Sequence, residues 1–171
     1  LHDQSIKLGL QYMHENDVGG GIGGDFNFNM IGTKLDFSIY GIKSFIGYTH
    51  VFSEDKAQEK WSIMPYYNMM IFNFFNRPKE QSVKLGVILE LSEVLKLYPN
   101  IGFGFTPNNG VVASPNQQEY NLTFDYTFLK DFNLKVRGAF VHQNSIRNLD
   151  FYAKDIVDFR IILNYNWSNK F

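Results

Sequence analysis

Few side chains in this chain are placed to do covalent chemistry. Histidine occurs at His2, His14, His50 and His142 with no HExxH spacing, and cysteine is absent, so neither a histidine nor a thiolate metal site is expected. His142 and Ser145 stand near one another, but no acid at a recognisable spacing would orient the imidazole, and a nucleophilic triad is not expected. The run Gly19, Gly20, Gly21, Ile22, Gly23, Gly24 is followed by no helical pattern and no phosphate-loop lysine, so it reads as a flexible loop. No catalytic residue, metal or cofactor is therefore expected. What remains is charge acting through space. The bases Lys7, Lys34, Lys84, Lys96, Lys135, Arg137 and Arg160 and the acids Asp36, Glu90, Glu119, Asp125 and Asp158 are the groups that could attract, orient or repel an ionic solute. The overall balance of 16 Lys+Arg against 17 Asp+Glu leaves a net charge of -1, which gives no footprint for nucleic acid.

A pattern of period two holds these charges in place. Residues 5–14 set Ile6, Leu8, Leu10 and Tyr12 against Lys7, Gly9 and Gln11, and residues 33–40 set Leu35, Phe37 and Ile39 against Lys34, Asp36 and Ser38. In 82–91, Val83, Leu85, Val87, Leu89 and Leu91 oppose Lys84 and Glu90; in 95–105, Leu97, Ile101, Phe103 and Phe105 oppose Lys96, Asn100, Gly102 and Gly104. Three clean strands close the chain. Tyr120, Leu122, Phe124, Tyr126 and Phe128 alternate with Glu119, Asn121, Thr123 and Asp125, and Phe132, Leu134, Val136 and Phe140 oppose Lys135 and Arg137. Val157, Phe159, Ile161, Leu163, Tyr165, Trp167 and Phe171 oppose Asp158, Arg160, Asn164, Asn166 and Lys170. Residues 43–52 are ambiguous, because Ile46, Tyr48 and Phe52 define one face while Phe45 and Val51 fall on the other.

Eight strands result, in one domain of 171 residues. Their connections alternate in length: 41–42, 92–94 and 129–131 are tight, whereas 15–32, 53–81, 106–118 and 143–155 are long. Counting 61–75 as a ninth strand would break that alternation, so 53–81 is read as a loop. Its Met64, Tyr66, Tyr67, Met69, Met70, Phe72 and Phe75 are too apolar for a solvated segment, so it either covers a barrel mouth or enters the lumen as a constriction.

All twelve charges sit on the polar faces of their strands. A soluble half-buried sheet would also segregate charge. A spanning barrel must do so, since a Lys or Arg facing lipid at the bilayer midplane costs about 2–4 kcal/mol. Three features favour lipid. Aromatics cluster near strand ends (Tyr12, Tyr120, Phe128, Phe132, Phe140, Tyr165, Trp167), the loops are asymmetric, and Phe171 ends an alternating strand as in the C-terminal signal read by the barrel-assembly machinery, although Asn169 departs from it. The mean hydropathy of -0.23 does not oppose this, because alternation hides from averages.

The closing stretch, with its Tyr120, Leu122, Phe124 strand, its hairpin from Lys130, Asp131, Phe132, Asn133 and Leu134 to Lys135, Val136 and Arg137, and its final run Asp158 to Tyr165, resembles the C-terminal part of OprD-like porins. It is also similar to the related Helicobacter-type outer-membrane proteins. That resemblance implies an all-β, antiparallel, up-and-down transmembrane barrel of about 18 strands, over twice this length, of which the present chain is the C-terminal portion. It further implies a place in the bacterial outer membrane among its lipids, passive diffusion of small anionic or zwitterionic solutes, and a basic ladder for carboxylates. The pore-lining set would be Lys7, Lys34, Asp36, Lys84, Glu90, Lys96, Asp125, Lys135, Arg137, Asp158 and Arg160, with Lys135, Arg137 and Arg160 foremost, and acids facing bases across the lumen. Three other arrangements remain open on the residues alone. One is a complete eight-stranded barrel plugged by Arg137, Asp125, Lys135 and Asp158; the second is a soluble lipocalin-like ligand-binding barrel with its aromatic face inward; the third is a small filled structural or adhesion barrel.

Overall fold

The computed structural model describes residues 4–17, 24–57, 66–105, 115–143 and 155–167. Its strands are β1 (Ser5–Asn16), β2 (Asn27–Ile39), β3 (Ile42–Val51), β4 (Gln81–Glu90), β5 (Leu95–Phe105), β6 (Gln117–Leu129), β7 (Phe132–Gln143) and β8 (Ile156–Tyr165). Each pairs antiparallel with the next, so the sheet order is the chain order. Among the described residues β1 pairs only with β2 and β8 only with β7. The sheet is therefore open, and the plugged eight-stranded barrel is not formed.

Local chemistry explains the meander. Tyr40 and Gly41, with φ of 52° and 80°, form the two-residue link from β2 to β3, a left-handed pair whose twist matches that of the flanking strands. Lys130 and Asp131 link β6 to β7, where the register shifts between Thr127 and Leu129. Between β4 and β5 the turn is closed by Leu91 N to Leu95 O at 3.0 Å and Ser92 N to Leu95 O at 3.1 Å. All three turns lie at one end of the sheet, within a residue or so of their expected positions. The strands run 10 to 13 residues, enough to cross a hydrocarbon layer, which takes about 9–11.

The two faces differ as their residue types demand. Leu8, Leu10, Ile46, Leu85, Leu122, Phe124, Phe159 and Ile161 are exposed on one face, with Leu8 65% and Ile161 67% accessible. Val136, between Phe124 and Ile161 in register, lies on the same face and is half-buried. A lipocalin-like barrel would enclose these groups; here they point away from the covered side. Glu119, Asn121 and Thr123 on the opposite face are buried. The polar face is thus the inside.

Near the long-loop end the alternation inverts. Strand β2 begins at Asn27 rather than Thr33, because Phe28 and Met30 turn inward while Asn27 and Asn29 turn outward beside His14. Phe28, Met30 and Val51 are fully buried with Ala57 and Tyr66, and Met13, Met69 and Phe74 pack against that cluster. Burying each such side chain contributes roughly 1.5–3 kcal/mol. The same inversion resolves β3. Ile46 and Tyr48 face outward as expected, Val51 enters the cluster, and the Phe45 ring turns inward between two lysines, 5.0 Å from Lys34 Nζ and 5.5 Å from Lys84 Nζ. Strands β4 and β6 also begin slightly earlier than the loop boundaries expected, at Gln81 and Gln117.

Leu122→Arg in the full-length protein is expected to lower folding stability in phospholipid vesicles by about 2–4 kcal/mol, measured by urea titration. Stability equal to that of the parent would mean this face does not meet hydrocarbon.

Candidate functional site

The described residues 66–80 of the connection between β3 and β4 lie on the inner face of the sheet. The connection's described residues contain no strand, and its Trp61 and Met64 fall outside the described residues. Both ends are tied to the long-loop rim. Asn27 N donates to Asp55 Oδ2 at 2.9 Å, Asn29 N to Ser53 Oγ at 3.0 Å, and Val51 N to Glu80 O at 2.8 Å. The fully buried Glu80 carboxylate accepts from Arg77 N at 2.9 Å and Arg77 Nε at 3.0 Å, while Arg77 Nη1 donates to Pro115 O at 2.6 Å and so links this loop to the next.

Between these ends the loop crosses the strands along a single register row. Gly9, Lys34, Gly47, Lys84, Gly102 and Glu119 are successive partners from β1 to β6, so glycine alternates with charge across the wall. Glycine lets another segment approach the sheet closely. The Tyr67 ring lies over Gly9 and Gly32, and its hydroxyl donates to Leu10 O at 3.3 Å. Asn68 sits against Gly47 and donates to Ser82 O at 2.8 Å and Ser82 Oγ at 2.9 Å. Met70 and Phe75 fill the space above Gly102, and Phe75 also covers Gly104. Phase and packing meet at Phe75. Its left-handed φ of 53° is a conformation that costs about 1–2 kcal/mol for a non-glycine residue, sustained by the seat it fills.

The charges in the same row hold the loop backbone. Lys84 Nζ donates to Met69 O at 2.7 Å. Glu119 accepts from Phe72 N at 2.9 Å and from Asn73 N at 2.6 Å. Arg160 Nη2 approaches Ile71 O at 3.5 Å. Of the two readings of the apolar loop, the structure thus has the one in which it enters the lumen side rather than resting on the rim.

The expected wall residues share the polar face, but most are paired with neighbours. Lys34 meets Asp36 at 2.6 Å, Lys135 meets Asp125 at 3.2 Å, Arg160 Nε meets Asp158 at 2.8 Å, and Glu90 receives both Lys43 at 3.0 Å and Lys96 at 3.3 Å. Within this sheet the acids of the expected set stand beside bases. Lys7 is exposed on β1, in register with Asp36. Arg137 differs. It is directly opposite Arg160 in register, and its Nε is buried with no acceptor. Arg137, Arg160, Lys84, Asn100, Asn121 and Thr123 form the wall side of a cleft of about 400 Å³ whose loop side is Met69, Met70, Ile71 and Phe74.

Several contributors were not singled out from the sequence. Lys43, Arg77 and Glu80 carried no pattern, and Glu119 stood out only as a polar-face acid. The inward glycines Gly9, Gly32, Gly47, Gly102 and Gly104 were the available signal, since glycine within a strand marks a close approach. His142 does have an acidic partner, Asp155, at 2.7 Å, which spacing did not reveal; both are exposed. Ser145, Asn169 and Phe171 lie outside the described residues, so neither the nucleophile nor the terminal signal is addressed by this geometry.

No protein-family model and no curated protein matches this sequence. Solved structures do share its fold. OpdL of Pseudomonas aeruginosa superposes with a TM-score of 0.81 at 21% identity, over 95% of this chain and 46% of that one. OccK10 (OpdN) of the same organism gives 0.80 at 19% identity, over 99% and 50%. The outer membrane protein OprD gives 0.78 at 19% identity, over 96% and 48%. This chain spans about half the length of each and has the fold of that half: antiparallel, up-and-down barrel strands.

A Cβ at Gly102 would fall 2.7 Å from Phe75 Cε2 and 3.1 Å from Met70 Cγ, whereas one at Gly138 on the outer face meets nothing within 4 Å. Gly102→Val is expected to destabilise the protein by about 1–3 kcal/mol through overpacking, and to expose the loop to protease. Gly138→Ala should leave both readings at the parental level. Equal behaviour of the two variants would contradict the seating of the loop.

Proposed function

We propose that this chain is part of an outer-membrane diffusion channel for small organic anions, with the 66–80 segment as its constriction and Arg137 as its principal solute contact. Arg137 carries the reading. A guanidinium that is partly buried, faces a like charge in register, has no acceptor at its Nε and makes no ion pair among the described residues is electrostatically incomplete, because the nearest acids in register, Asp125 and Asp158, are engaged by Lys135 and Arg160. Leaving such a charge uncompensated is unfavourable, and a transient anion would complete it. The neighbouring bases are more engaged: Lys135 and Arg160 have carboxylates in place, and the Lys84 ammonium, which keeps its charge at the cleft edge, is hydrogen-bonded to a loop carbonyl.

The opposite side of the cleft suits a solute with a carbon body. Met69, Met70, Ile71 and Phe74 present apolar surface to whatever the cations hold, so an organic carboxylate fits both walls where an inorganic anion would meet only one. Transit needs such binding to be weak and reversible, and a half-open cleft with few fixed polar contacts provides that. The outward apolar face would meet outer-membrane lipid. The fold shared with OprD, OpdL and OccK10 supports a channel role without specifying the solute.

In planar bilayers the full-length protein carrying Arg137→Glu is expected to shift its reversal potential in a salt gradient toward cations severalfold. Lys135→Glu, an equal change of charge, should shift it much less, because Lys135 does not border this cleft. Parental selectivity in the Arg137 variant would remove that residue from the solute path.

A further inference from the structure

The loop must be held at a fixed distance from the wall if it is to define an aperture. We propose that Glu119 is the positioning residue that sets this aperture: its carboxylate latches the backbone of Phe72 and Asn73 to β6. The inference rests on the channel reading above but concerns the loop rather than the solute.

Four observations carry it. Glu119 is fully buried, and each of its oxygens accepts one backbone N–H, Oε1 from Phe72 and Oε2 from Asn73. Met70 N donates to Asn73 O at 2.8 Å, closing a turn that aims the two consecutive N–H groups at the wall together. Such paired amides form a natural anion nest, here occupied by a side chain. Gly102, the register partner of Glu119, leaves room for Met70 and Phe75 beside the latch.

The polarity of the grip is matched to the peptide. A cation, Lys84, takes the Met69 carbonyl and an anion, Glu119, takes the amides that follow, so the row holds donor and acceptor ends of one short stretch. Lys84 also borders the cleft and would touch solute. Glu119 is not among the residues lining the cleft. Its direct contact is with the loop backbone, and shortening it while keeping its charge should release the loop without altering the charge near the cleft.

The test uses Glu119→Asp in the full-length protein in lipid bilayers. Asn73 has a buried side chain, and Asn73→Cys retains the backbone amide that Glu119 holds, so thiol labelling at that position reports loop release without requiring conduction. Adding Glu119→Asp should speed labelling about tenfold, as expected for loss of buried hydrogen bonds. Single-channel conductance should rise about twofold with ion selectivity unchanged, as befits a wider opening rather than an altered charge. Where Glu119→Asp fails to insert, Glu119→Gln, equal in size, is read by the same labelling rate. Unchanged labelling overturns the latch, and so does a selectivity shift without a gain in conductance. A parent protein that labels slowly but does not conduct would refute the channel reading and leave the latch standing.

Discussion

Charged and apolar side chains are held on opposite faces of this sheet, and the organisation of the molecule follows from that segregation. Every base and acid of the strand centres is driven to one face, and the sheet must then curve so that this face meets water. An inner surface crowded with ionised groups is also a surface rich in hydrogen-bond partners. A loop entering it can satisfy backbone groups that would otherwise be stranded away from solvent. The Lys84 and Glu119 contacts use the same segregation of charge that keeps the outer face apolar.

Seating the loop required a second feature, which charge segregation alone does not supply. Long side chains on all inward positions would hold the loop off the wall. Glycine at alternate strands of one row removes that obstruction, and each seat is filled by a specific group: Tyr67, Asn68, Met70 or Phe75. Glycine within a strand weakens it, by about 0.5–1 kcal/mol relative to alanine. The buried cluster of Phe28, Met30, Val51 and Tyr66, together with the loop hydrogen bonds, offsets that weakness on the same face. The wall and the loop are in this sense one packing unit.

Most of the strand framework was legible because the outward-facing stretches obey one rule along their length. Leu122, Phe124, Leu134 and Ile161 all face the expected side. The rule fails where a strand approaches the long-loop rim. At Phe28, Met30 and Val51 the apolar side turns inward to the loop cluster while Asn27 and Asn29 turn out, so the start of β2 and the phase of β3 could not be read by extrapolation. Loop contacts were illegible for a different reason. Glu119 pairs with Phe72 and Asn73 through their backbone, which leaves no signature in residue type, and Arg77 with Glu80 is a local pair within an irregular segment. The inward glycines were visible as residues, but nothing in the spacing said which segment would approach them.

Pairing also changes what a ladder of bases means. Seven cations on one face suggest a strongly positive surface, yet Lys34, Lys96, Lys135 and Arg160 have carboxylates within 3.3 Å and Lys84 is bound to a carbonyl. Exposed pairs of this kind add little stability, with typical values of about 0–1 kcal/mol. Their larger effect is to cancel one another's field at the distances a passing ion would sense, because a charge and its neighbour act as a dipole. On the proposed channel reading, the field inside such a wall is set by the bases that no carboxylate matches, Lys7, Lys84 and Arg137 among the described residues, and Arg137 and Lys84 are the two that border the cleft. Selectivity in a surface of this type depends less on how many charges are present than on which of them the neighbouring strands leave without a carboxylate.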